Sequence, residues 1–154
     1  MSKFFKHYDA FNRLVSSLPS TSPPSTSKAA GRVHLNITAN TATLTIDNPA
    51  VKNAMSPTMM LELGLHISHL STLCPTSSPA TLILRGTPLG GGFCSGADIN
   101  SASNFLSPES GELMSNYMAE VTDALAELPS VTFSAVDGAA YGGGAELTTA
   151  TDFR

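Results

Sequence analysis

Two glycine-rich loops hold the residues whose types and spacing could do chemistry. The first reads GTPLGGGFCSGAD over residues 86–98 and the second DGAAYGGGAEL over residues 137–147. In the second, Gly142, Gly143 and Gly144 remove side chains just where a helix begins, so backbone N–H groups can face a ligand closely. In the first, Gly96 followed by Ala97 and Asp98 makes another tight turn of small residues. Two such turns could aim two N–H donors at one oxygen, which describes an oxyanion hole. The same residues would equally serve close helix–strand packing and a left-handed turn. Glu146 follows Gly143 by about one helical turn. Its carboxylate could face the same pocket as a general acid or base, or simply favour the first turn of a helix.

Other chemistries fit these loops poorly. Neither contains G-x-G-x-x-G, and the first lacks the Gly-Lys-Ser/Thr of a phosphate loop. GFCSG puts Ser95 one place too late for a G-x-S-x-G nucleophile elbow. His66 and His69 stand beside the apolar stripe of a helix, with no H-E-x-x-H and no third ligand near them, so a solvated or half-buried pair is expected and no metal site.

The elements around the loops follow from periodicity. VHLNIT and TATLTID alternate with period two across Ala39-Asn40 and predict a β-hairpin. Ser56-Pro57 opens a helix whose Met60, Leu63, Ile67 and Leu70 form one apolar face. ATLILRG reads as a buried strand leading into the first glycine loop. Pro108 opens a second helix in which Met114, Met118, Val121, Leu125 and Leu128 make a continuous stripe, read as a core face. VTFSAV is a further strand before the second glycine loop, which leads into a last helical segment. After the hairpin, strands alternating with helices favour parallel pairing through crossover helices, an α/β fold.

The N-terminal 31 residues read differently. Residues 16–27, SSLPSTSPPSTS, contain one residue that is not Ser, Thr or Pro and are expected to be a disordered linker. Before them, Lys3, Lys6 and Arg13 accompany Phe4, Phe5, Tyr8, Phe11 and Leu14 at roughly helical spacing. That pattern suits an organelle transit peptide or an amphipathic tail packed on its own domain or on a partner. Residues 1–31 are thus expected as a disordered tail and linker, and 32–154 as the folded domain.

Composition narrows the partners. Lys and Arg number 8 against 12 Asp and Glu, and the cations are scattered singly, so there is no basic face for nucleic acid. No apolar stretch approaches the roughly 20 residues that span a bilayer. Cys74 and Cys94 are too few for a disulfide framework and are read as reduced thiols of an intracellular protein.

The runs FCSGADI and GAAYGGGAEL, with IDNPAVKNAM upstream in the right order, resemble the crotonase (enoyl-CoA hydratase/isomerase) superfamily from about Val33 to Arg154. The resemblance implies a ββα spiral of the ClpP/crotonase kind, cut short here after the Gly-Gly-Gly-x-Glu helix. It also implies an acyl-coenzyme A thioester as substrate, with an enolate held at its carbonyl oxygen. On the matching positions Ala97 and Gly143 would supply the two N–H donors and Glu146 the carboxylate. Lys52, Asn53 and Ala54 match the loop that contacts coenzyme A. Ser95, Gly96, Ala97, Asp98 and Ile99 match the segment beside its pantetheine arm and adenine, and Tyr141, Gly142 and Gly143 belong to the same binding site. No metal is implied, and coenzyme A enters as part of the substrate.

Within that superfamily, GGGAELTTATDFR, FCSGADIN and SPTMMLEL are most similar to the ethylmalonyl-CoA decarboxylase group, where the same hole would hold the enolate left as carbon dioxide departs. Gly-Gly-Gly-x-Glu also occurs in hydratases, whose second glutamate would lie beyond Arg154, as would the part that closes the pocket and builds a trimer or hexamer. Fatty-acid hydratase or isomerase chemistry, and a non-catalytic truncated fragment, are the alternatives. The cytosol, ahead of the mitochondrion, is the expected compartment. Asp137 departs from the Asn common in the family.

Overall fold

A computed structural model describes residues 5–18, 31–73, 79–102 and 107–154. Four strands form one sheet: β1 (Arg32–Thr38), β2 (Thr41–Asp47), β3 (Thr81–Gly86) and β5 (Val131–Ala135), in the order β1-β2-β3-β5. The hairpin pair is antiparallel, with Thr38 opposite Thr41, and β2–β3 and β3–β5 are parallel. Both features match the sequence reading. The hairpin's left-handed residue is Ala39 (φ 50°), not Asn40. The Asn40 side chain is engaged elsewhere: its Oδ1 accepts the N–H of Ala80 at 2.9 Å, tying the turn to the start of β3.

One sheet face carries the core. Ala42, Leu44 and Ile46 of β2 and Leu82 and Leu84 of β3 alternate inward and are fully buried, as period-two strands require. The helix α2 (Pro57–Thr72) covers them with Met59, Leu63 and Ile67. Its start is as read: Ser56 Oγ accepts the N–H of Met59 at 3.3 Å and Pro57 fills the first turn. The helix α4 (Pro108–Ala126) has the same kind of start, with Ser107 Oγ accepting from Ser110 at 3.2 Å, and packs on α2. Where the two meet, a Cβ at Gly64 would overlap the Tyr117 hydroxyl, so the missing side chain sets how closely α4 can lie.

Two expectations are corrected. Residues 5–18 are not a disordered tail: α1 (Tyr8–Ser17) packs on α4 and α2, with Phe11 fully buried and Phe5 nearly so. The amphipathic packing that its helical spacing allowed is what these residues adopt. The Ser/Thr/Pro stretch from residue 19 on, and Cys74, lie outside the described residues. On α4, the stripe read as a single core face divides. Tyr117, Val121 and Leu125, spaced at four, are fully buried, whereas Met114 and Met118 are only half-buried and turn toward a cavity.

A second, two-stranded sheet of β4 (Gly92–Cys94) and β6 (Ala139–Ala140) joins the glycine loops, pairing in parallel with Gly92 opposite Ala139 and Cys94 opposite Ala140. The short α3 (Ile99–Ala102) and α5 (Gly143–Thr149) follow the two loops.

Candidate active site

The β4–β6 pairing lays the two glycine loops side by side. Beyond it the Tyr141 N–H donates to the Cys94 carbonyl at 3.0 Å, and a Cβ at Gly144 would overlap that same oxygen. Only glycine permits this approach of α5 to β4. Gly96 has φ +93°, and a Cβ there would stand 2.9 Å from the Tyr141 carbonyl oxygen and 3.6 Å from the Gly143 nitrogen. The first loop therefore touches the second at the start of α5.

The N–H groups at this contact are free. Met55 donates to the Gly96 carbonyl at 2.8 Å and accepts from the Asp98 N–H at 2.9 Å. Such parallel pairing uses the groups on either side of Ala97 and leaves the N–H of Ala97 pointing the other way. Gly143 is the first residue of α5, where an N–H has no partner within the helix. Among the described residues no acceptor takes either N–H. Gly142 sets this start with φ 50° and ψ −126°, a conformation reserved for glycine.

Gly96, Ala97, Gly143 and Glu146 all line one cavity of about 600 Å³. Its remaining walls come from Met55, from Met60 of α2, and from α4 and α5. Met114, Ser115, Met118, Ala119, Thr122, Asp123 and Ala126 face in from α4, and Thr149 and Ala150 close the far side. Glu146 is exposed to this space and its carboxylate has no hydrogen-bond partner among the described residues. Among the described residues Asp123 and Glu146 are the charged ones lining the cavity, and no Lys, Arg or His lines it. An anion in the cavity would thus rest on backbone N–H groups.

The other expected residues divide between exposed and committed. Lys52 (φ 56°), Ile99 and Tyr141 are exposed, the last two at 83% and 65%. Lys52 is held beside the first loop because its carbonyl accepts the Ser95 N–H at 3.2 Å. The Ser95 hydroxyl donates to the Val51 carbonyl at 3.1 Å. Asp98 caps α3, accepting from Asn100 N–H at 3.1 Å and Ser101 Oγ at 2.7 Å. Ala54 is buried.

The Asn53 side chain is fully buried and turned into the fold, so any part Asn53 has in a ligand contact falls to its backbone. Its Nδ2 donates to the carbonyls of Thr87 and Gly92 at 3.0 and 2.8 Å, and its Oδ1 accepts the Asn48 N–H at 3.1 Å. The Asn53 side chain thus shapes the loop from within. Cys94 is a free thiol with no exposure, and burial pushes its pKa up, which keeps it protonated and inert. His66 is half-buried and its Nε2 lies 2.9 Å from the Val33 carbonyl, while His69 is exposed. No metal-binding group of three or more His, Cys, Asp or Glu occurs among the described residues. Asp137 is exposed.

The methionine wall escaped the sequence reading. The signal was present: residues 117, 121 and 125 repeat at four, so Met114 and Met118 lie on a neighbouring face of the same helix.

Comparison with known proteins agrees with this geometry. The profile of the family described as Enoyl-CoA hydratase/isomerase matches residues 36–154. Ethylmalonyl-CoA decarboxylase of Danio rerio is 40% identical over 114 residues, covering 73% of this chain and 36% of that protein. The Mus musculus protein of the same name is 40% identical over 111 residues, 72% of this chain and 33% of its own. The chain thus spans about a third of the length of these relatives. Among solved structures, an enoyl-CoA hydratase from Bacillus anthracis superposes with a TM-score of 0.71 at 22% identity, covering 80% of this chain and 46% of that one.

Proposed function

Since the chain belongs to the enoyl-CoA hydratase/isomerase family, we propose that it binds an acyl-coenzyme A thioester with the carbonyl oxygen between the N–H groups of Ala97 and Gly143, and that the reaction is decarboxylation of an alkylmalonyl thioester. The observation that carries this reading is the pair of unpartnered N–H groups on two touching loops of one cavity. The bond between the α-carbon and the carboxylate breaks, its electron pair moves onto the thioester as an enolate, and carbon dioxide leaves. The two N–H groups stabilise the oxygen on which charge develops. The α-carbon then takes up a proton from solvent, with Glu146 as its carrier.

Two features support decarboxylation in particular. The relatives at about 40% identity are named for it. The charged lining residues, Asp123 and Glu146, give a substrate carboxylate no cation to rest on, which favours its departure as a neutral molecule. Hydration of an enoyl thioester is the second reading, favoured by the unpartnered Glu146 carboxylate in the cavity. Lys52, exposed beside the first loop, suits the phosphates of coenzyme A.

The test offers ethylmalonyl-CoA and crotonyl-CoA side by side to the protein and to Gly143→Pro. Proline is well tolerated as the first residue of a helix, and no atom lies within 4 Å of a Cβ at Gly143, so the chain should fold without this donor, and Gly143→Ala, which adds bulk but keeps the N–H, is the steric control. Release of carbon dioxide from the first thioester, reduced by roughly a hundredfold or more in the variant, is expected. Turnover of crotonyl-CoA alone would favour hydration, and turnover of neither would count against catalysis by this chain.

A further inference from the structure

The cavity-lining helix α4 is held from behind by a segment that precedes the family-matched residues 36–154. Tyr117 sits at the centre of that contact. Phe11 of α1 stacks on its ring at 4.9 Å, Phe5 meets it edge-on at 5.7 Å, and Tyr8 tilts against it at 6.2 Å. One turn along α4, the Glu120 carboxylate accepts the backbone N–H of His7 at 3.1 Å and lies 2.7 Å from its Nδ1. The segment therefore grips α4 at two successive turns, by rings and by a carboxylate.

Met118 is the immediate neighbour of Tyr117, and Ala119 of Glu120, and both line the cavity. Successive residues of a helix are about 100° apart, so a roll of α4 that unseats Tyr117 must swing Met118 and Met114. The seat itself is poised. The Tyr117 hydroxyl is buried, has no hydrogen-bond partner among the described residues and abuts Gly64 of α2, so packing from α1 must offset the lost hydration. We propose that residues 5–18 are a positioning element for the active-site cavity, setting the rotation of α4 and with it the placing of Met114 and Met118. Phe11 and the His7–Glu120 pair are the positioning residues. The role holds whichever reaction the cavity hosts.

Hydrogen exchange read by mass spectrometry tests this on the whole chain, with Phe11→Ala, the conservative Phe11→Leu and Glu120→Gln. Phe11→Ala is expected to raise exchange across residues 108–126 by more than about tenfold while β2 and β3 stay within about twofold, a local rather than global opening. Dilute hydrogen peroxide should then convert Met114 and Met118 to sulfoxides faster, with fully buried Met59 unchanged as internal control. Phe11→Leu should restore most of the protection. Should Phe11→Ala fail to fold, Glu120→Gln leaves the rings in place and is expected to give the same localised pattern at smaller amplitude. Exchange that rises equally in α4 and the sheet, or in neither, overturns the proposal, because α1 would then add only general stability or nothing.

Discussion

The side-chain amide of Asn53 donates to the backbone carbonyl of Gly92 at 2.8 Å, which pins the loop after β2 to the first residue of β4. The same amide holds Thr87, and its oxygen holds the N–H of Asn48. One buried side chain thus positions the strand that carries the first glycine loop.

Asn53→Ala should therefore cost about 2 kcal/mol or more, since it takes this partner from the buried Asn48 N–H and Gly92 carbonyl, while the Thr87 carbonyl keeps the Gly90 N–H. Alanine is also less suited than asparagine to the left-handed φ of 57° at this position. Chemical denaturation would measure the loss as a lower midpoint with an unchanged slope. A change below about 0.5 kcal/mol would mean that the network can be replaced by water.

Gly96 and Gly143 face each other across the site but should respond in opposite ways to a methyl group. Gly96→Ala demands a left-handed alanine pressed on the Tyr141 carbonyl and is expected to destabilise by more than about 2 kcal/mol, separating the loops. Gly143→Ala meets no atom within 4 Å and should fold with less than about 1 kcal/mol of change. Its methyl group would enter the ligand's space and weaken thioester binding. Paired denaturation and calorimetric titration of the two variants would check this contrast.

The acid limb of the stability profile should depend on Asp152. Its carboxylate accepts the Thr132 N–H and the Thr132 hydroxyl, each at 2.8 Å, and these bonds, the backbone one first, hold its pKa below the usual aspartate value. A carboxyl depressed in the folded state adds stability above its unfolded value, about 4, and loses it as pH falls through the folded value. Asp152→Asn is expected to be less stable than the parent at neutral pH, with the difference closing as pH falls below the usual aspartate value and through the depressed folded one. A gap that stayed constant with pH would assign the effect to shape rather than charge.

Periodicity made the main sheet legible. The hairpin, α2 and the parallel strands β3 and β5 each carry a local pattern of 2 or 3.6 residues that survives folding. The strands β4 and β6 do not, at three and two residues, because they exist only through pairing with each other. The phenylalanines of α1 announced a face needing cover but not which helix would provide it. The inward role of the Asn53 side chain was not legible, because the motif match marks the loop and only the folded chain reveals the carbonyls that this side chain satisfies. Ala97 carries no chemical mark of its own. Its N–H could be singled out only by the motif around it, and its freedom follows from Met55 occupying the groups on either side.

The parallel order β2-β3-β5 also makes the glycine loops depend on contacts between distant parts of the sequence. The hairpin closes across two residues, whereas the anchor between β2 and β3, Asn40 to Ala80, joins groups 40 residues apart, and that between β3 and the start of β5, Pro79 to Ser130, joins groups 51 apart. Each of those long loops must lose its freedom before a single cross-strand bond compensates it. The glycine loops hang on the ends of these strands, so their meeting rests on contacts whose loop closure costs more entropy than the hairpin's.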